Sequence, residues 1–146
     1  MSGRILIFAV AASLATPGLA KSTNLDLDKL HFDTVHDVAS RAILAVDGDG
    51  KPISFLLRIP RGKSLPPHGA IGPIRLVTVV SGTLSWGDGS TVDEAAERSF
   101  GSGSVIVIPA KGGEHWAAAR DSDVLLQVVL VRNGTLSPEA ASQLDR

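Results

Sequence analysis

An all-β domain, built as a sandwich or a closed barrel, is what the sequence predicts, and three observations predict it. Short β-type runs recur from Arg41 to Val131, glycine or Asp-Gly turns separate them, and only Asp93–Glu97 (DEAAE) reads as helical, over about one turn. The composition agrees. Fifteen glycines, eight prolines and a charged fraction of 20% suit a turn-rich β-domain better than a helical bundle, while 44% apolar residues supply its core.

With 146 residues the chain has room for one domain. Its 14 Lys+Arg against 15 Asp+Glu leave a net charge of −1, which provides no basic field for nucleic acid or an anionic membrane. The expected partners are a small molecule or a second copy of the chain. Cysteine is absent, which excludes disulfides, thiolate metal sites, a cysteine nucleophile and an acyl-cysteine anchor.

Residues 1–20 read as a secretory leader. Arg4 is followed by the apolar run Ile5–Leu14, the breaker Pro17-Gly18, and small residues at Gly18 and Ala20 before a cut after Ala20. The run is shorter than the ~20 residues a membrane span needs. The mature chain is therefore expected to begin at Lys21 and to work in the periplasm or as a secreted protein.

Residues 21–40 fit neither the helical nor the strand period and read as an arm packed on the barrel. The barrel is expected over 41–132. Its runs are RAILAV, PISFLLRIP, IRLVTVV, TLSW, RSF, SVIVIP, HWAAA and DVLLQVVLV, and Asp47-Gly48-Asp49-Gly50 marks a hairpin between the first two. Residues 133–146 form a tail that either makes a short helix or stays loose.

The order of glycines, prolines and histidines resembles the two-part signature of the cupin superfamily. Gly62, His68, Ala70, Arg75 and Gly82 fall on the positions of the first part, G-x5-H-x-H-x3/4-E-x6-G; Gly103, Pro109 and His115 follow the second, G-x5-P-x-G-x2-H. The resemblance covers roughly residues 41–132 and implies a single cupin-type β-barrel, a double-stranded β-helix or jelly roll. In such barrels the signature residues hold a divalent transition metal, Fe, Mn, Ni, Cu or Zn, with open positions for substrate.

Carried over by position, His68 matches the first histidine and His115 the last. Ala70 stands at the second histidine and Arg75 at the glutamate, so two of the four ligands are missing. Arginine stays protonated and donates no lone pair, so Arg75 sets a fixed positive charge where a metal would sit. His115 also lies one residue later than the pattern, and Ala119 fills the place of a frequent asparagine. The expected metal content is none; a site reduced to His68 and His115 is the alternative.

Strand alternation places Val77 and Val79 on the face of Arg75, and Ala117 and Ala119 on the face of His115, a small apolar lining with polar groups at one end. Arg75 then meets either a bound anion or a protein carboxylate such as Glu114. His68 has the choice between a ligand and a neighbouring carbonyl. Trp116 should face outward, and Trp86 should pack in the core or rim. His31 and His36, five residues apart, share a face of neither a helix nor a strand and are not expected to reach the site.

Three functions follow from these readings. The first is a binding barrel for a small anion, with Arg75 as clamp and His68 and His115 as hydrogen-bonding groups. The second is a metalloenzyme of dioxygenase, isomerase or lyase type on a reduced site. The third is a metal-free isomerase or lyase using one histidine as base and Arg75 against an enolate. The run VLLQVVLV suits a covered strand and makes a homodimer a candidate assembly. Mass spectrometry of the exported protein is expected to find Lys21 at the N-terminus; a chain still carrying Ile5–Leu14 would contradict the leader.

Overall fold

Ten strands fold into two antiparallel sheets in a computed structural model that describes residues 21–69 and 71–144. The leader at residues 1–20 and the substitution Ala70 lie outside the described residues. The strands are β1 (Asp33–Val35), β2 (Ala39–Val46), β3 (Pro52–Ile59), β4 (Lys63–His68), β5 (Ile74–Ser81), β6 (Leu84–Asp88), β7 (Arg98–Phe100), β8 (Val105–Ile108), β9 (His115–Ala119) and β10 (Val124–Val131). One sheet has the order β1-β2-β3-β10-β5-β8, the other β4-β9-β6-β7.

The local chemistry explains the turns. Asp47 closes the β2–β3 hairpin by accepting from the backbone N–H of Asp49 and Lys51 at 3.0 and 2.9 Å, and Gly50 takes the left-handed conformation (φ 76°) that follows. DEAAE makes a single 3-10 turn at Glu94–Ala96, capped by Asp93. The tail forms α1 (Pro138–Ala141), with Ser137 capping Ala140 N–H and Pro138 pre-set for the first helical position.

Two strands differ from the sequence reading. β4 spans KSLPPH despite its adjacent prolines, because it is the outer strand of its sheet and Pro66-Pro67 falls where its pairing with β9 shifts register. The arm adds β1, joined to β2 by a turn in which His36 and Asp37 both have positive φ (51° and 58°), as a type I′ turn requires.

Alternation then fills the interior. Val124, Leu126 and Val128 of β10 are buried, as are Val77 and Val79 of β5 and Ile106 and Ile108 of β8. Each such side chain contributes about 1.5–3 kcal/mol when fully buried. The apolar run of β10 has β3 on one edge and β5 on the other, so its edges are covered within the chain.

β9 is buried along its whole length, on both faces. Trp116 points outward, as expected, and is only 2% exposed: its indole N–H donates to Glu97 Oε1 at 3.0 Å, and Arg120 holds the same carboxylate through Nε at 3.2 Å and Nη2 at 2.6 Å. Arg120 thereby keeps the Glu97 carboxyl below the usual carboxylate range. The 3-10 turn is clamped over the indole. Beneath it lies Gly87, where a Cβ would overlap the Trp116 ring. Gly87→Ala is expected to cost about 3 kcal/mol in urea unfolding by overpacking, whereas Gly101→Ala, with open space around it, should leave stability nearly unchanged. Equal effects would contradict this packing.

Candidate electropositive site

A cavity of about 380 Å³ opens within the barrel. Its apolar walls come from Leu57, Leu65, Val77, Ala117, Leu126 and Val128. At its polar end β4 delivers His68, β5 Arg75 and β9 His115, so the three site residues expected from the sequence line one space. The predicted facing of Val77 and Ala117 holds as well.

His115 is 4% exposed, and its ring lies flat on the Trp86 indole, with centroids 4.5 Å apart and planes 12° from parallel. Trp86 is therefore both core and cavity wall. Among the described residues no hydrogen bond holds the His115 ring. Burial first, then the neighbouring charges of His68 and Arg75, push its pKa from 6.5 down to about 4 against the opposing effect of Asp88. At neutral pH it is an uncharged imidazole.

His68 packs 4.5 Å from His115, centroid to centroid. Its Nδ1 lies 2.7 Å from the Pro66 carbonyl, an oxygen that only accepts, so Nδ1 carries the proton and Nε2 the lone pair. Burial lowers its pKa too; the Pro66 contact works the other way, and the charges of His36 and Arg75 add to the lowering. The carbonyl tether and the place in the cavity, alternatives in the sequence, occur together.

Arg75 is half-buried and reaches only the Gly69 carbonyl, at 3.5 and 3.4 Å, which is long for such bonds. Among the described residues it forms no ion pair, so the expected pairing with Glu114 is not made. Gly69 and Gly72 leave room for it. A Cβ at Gly69 would lie 2.7 Å from Arg75 Nη1 and 2.8 Å from His115 Cε1, and one at Gly72 would lie 2.5 Å from Nη2.

Two further cationic or basic residues were missed by sequence reasoning. His36 does reach the site: the β1–β2 turn sets its ring 4.9 Å from that of His68, correcting the expectation that this histidine does not. Its signal was hidden because neither His36 nor Asp37 is a glycine, so the positive-φ turn left no mark. Arg41 of β2 also lines the cavity, its guanidinium 5.8 Å from the Phe55 ring centroid. Arg41 heads a β-run, where an arginine reads as a solvent-facing strand residue.

The donor set does not fit a transition metal. Among the described residues no three His, Cys, Asp or Glu side chains are grouped to hold one, and the rings of His36, His68 and His115 follow one another beside the fixed charge of Arg75, with no carboxylate among them. Among the described residues no Asp or Glu lines the cavity. What the arrangement does provide is charged N–H donors and neutral imidazoles facing a half-open cavity, a setting for an anion.

No protein-family model matches the chain, and no curated protein sequence does. Solved structures do resemble it. A chain of the Rhodobacter sphaeroides SigE complex with the anti-sigma ChrR is 25% identical at TM-score 0.56, covering 73% of this chain and 51% of that one, so this chain spans about half its length. A sugar phosphate isomerase of the cupin superfamily from Silicibacter pomeroyi is 23% identical at TM-score 0.55 over 76% of each chain. The polyketide cyclase RemF from Streptomyces resistomycificus is 15% identical at TM-score 0.57, covering 86% of this chain and 94% of that one. The chain has the cupin fold, a jelly-roll barrel of two antiparallel sheets. Its neighbours include an isomerase and a cyclase, so the fold alone names no reaction. Among the described residues no helix is long and apolar enough to cross a membrane.

The depressed histidine sets a pH dependence. The unfolded chain takes a proton on His115 below pH 6.5, while the folded chain resists until about pH 4. Stability is therefore full above pH 6.5 and falls as pH drops, by on the order of 3 kcal/mol at pH 4. His68 acts in the same direction. Urea unfolding at a series of pH values should show His115→Gln losing less stability than the parent between pH 6.5 and 4; parallel curves would contradict the neutral imidazole.

Proposed function

We propose that the protein is an exported, metal-independent barrel that binds a small anionic molecule, with Arg75 as the charge clamp, His115 as a hydrogen-bond donor and His68 packed beside them. One observation carries this reading: among the described residues the cavity is lined by two arginines and three histidines and by no carboxylate. A half-buried guanidinium without a counterion is costly, and a bound anion supplies the partner that the described residues do not. The neutral His115 suits the same ligand, since its ring nitrogen bearing hydrogen donates without adding charge, whereas His68, with its proton turned to Pro66, packs beside it.

The apolar walls favour a carboxylate with a short hydrocarbon body over a hydrated inorganic ion. The leader reading places this binding outside the cytoplasm, where a soluble barrel meets small solutes directly.

Calorimetric titration with butyrate at low salt tests the clamp. The parent is expected to bind, and Arg75→Ala to bind about tenfold more weakly or worse, as the loss of a charged hydrogen bond implies. Equal affinities in the two proteins would remove Arg75 from the site. Stoichiometric Mn, Fe, Ni, Cu or Zn in protein purified without a histidine tag, lost on His68→Ala or His115→Ala, would replace this reading with a metal site.

A further inference from the structure

Arg41 and Arg75 line the same cavity but enter it from different walls. Arg41 sits on β2, opposite Asp33 of β1 and Leu57 of β3; Arg75 sits on β5, opposite Leu130 of β10 and Ile108 of β8. Two strands, β3 and β10, separate them in the sheet, so their backbones stand three strand spacings apart, about 14 Å measured along the sheet. They are staggered as well. Leu57, opposite Arg41, pairs with Leu126, four positions along β10 from the Leu130 that faces Arg75, or about 13 Å of strand.

The surroundings of the two guanidinium groups differ accordingly. Arg75 stands with His68, His115 and Gly69 at one pole. Arg41 stands by Phe55, whose partner Val128 lies two positions along β10 from Leu130, so its guanidinium is nearer Arg75 than its backbone is; it marks the second pole and is not among the charges that act on His68 or His115. Between the poles the walls are Leu57, Val77, Leu126 and Val128.

Neither guanidinium has a carboxylate partner among the described residues. Arg41 goes further: its Nε is buried and finds no hydrogen-bond acceptor there. A buried N–H on a charged group left without an acceptor is expensive, and so rare that it calls for an occupant. A monoanion held at Arg75 leaves that cost in place at Arg41.

Resting on the anion-binding reading above, we infer that the ligand is a dianion with a short apolar spine, of which aliphatic dicarboxylates are the simplest class: one carboxylate meets Arg75 with His115, the other meets Arg41, and the hydrocarbon lies along the walls between. The guanidinium fork suits a carboxylate at either pole because it offers paired parallel donors. The spine is what two poles with an apolar middle select; a compact dianion places both charges at one pole.

The test compares succinate, glutarate and adipate with butyrate, valerate and hexanoate by calorimetric titration of the parent, Arg41→Gln and Arg41→Lys, each checked for folding by circular dichroism. In the parent at least one dicarboxylate is expected to bind about tenfold tighter than its monocarboxylate partner. Arg41→Gln should erase that advantage, bringing each dicarboxylate to within about twofold of its monocarboxylate partner in the same variant, and Arg41→Lys should keep part of it. Parent affinities that do not favour any dicarboxylate overturn the inference without any variant, and so does an advantage that survives in Arg41→Gln. In both cases monocarboxylate binding that depends on Arg75 would leave the simpler anion reading standing. Absence of binding by every acid would overturn both.

Discussion

Arg75 is a charge that cannot be switched off, placed where the cupin signature puts a metal-binding carboxylate. A glutamate there would draw a divalent cation and be neutralised by it. A guanidinium repels the cation and needs an acceptor, yet the described residues offer it only one carbonyl at long range. The site is organised around this sign. Gly69 and Gly72 clear space for the guanidinium, no carboxylate among the described residues lines the cavity, and the adjacent imidazoles are held neutral.

The neutrality of the histidines is part of the same electrostatics. Burial is the largest cause of the depressed pKa of His115, and the charge of Arg75 works in the same direction. The flat stack on Trp86 fixes the ring, and the clamp of Glu97 on Trp116 and Arg120 secures β9 from its other face. The barrel therefore supports a rigid polar end on a strand buried on both sides. Rigidity of this kind favours binding, because little side-chain freedom is left to lose when a ligand arrives.

Much of the fold was legible because it rests on backbone geometry. Gly82 and Gly103 take φ of 82° and 88°, conformations that glycine adopts without strain, and a Cβ at Gly82 would overlap the Asp123 carbonyl. Such positions leave a mark in sequence whatever the site chemistry becomes. His68, Arg75 and His115 were legible for the same reason, since strand alternation and fixed spacing from those turns bring them together. β4 was hidden by Pro66-Pro67, which reads as a breaker until the strand is known to lie at a sheet edge. His36 was hidden in a left-handed turn without glycine. Arg41 was hidden because a run of six residues does not say which of its faces the second sheet will cover. The position of Ala70 carried its meaning through the signature alone.

The central claim is that this end of the barrel accepts anions and not divalent cations. Side-chain nitrogen-15 NMR of the histidine and arginine resonances, followed in parallel titrations with butyrate and with zinc, tests it most directly. The account predicts a saturable shift of the Arg75 Nε signal with butyrate, accompanied by the His68 and His115 rings, and no stoichiometric response of those rings to zinc. Stoichiometric zinc shifts at His68 and His115, with Arg75 unmoved by butyrate, would contradict it.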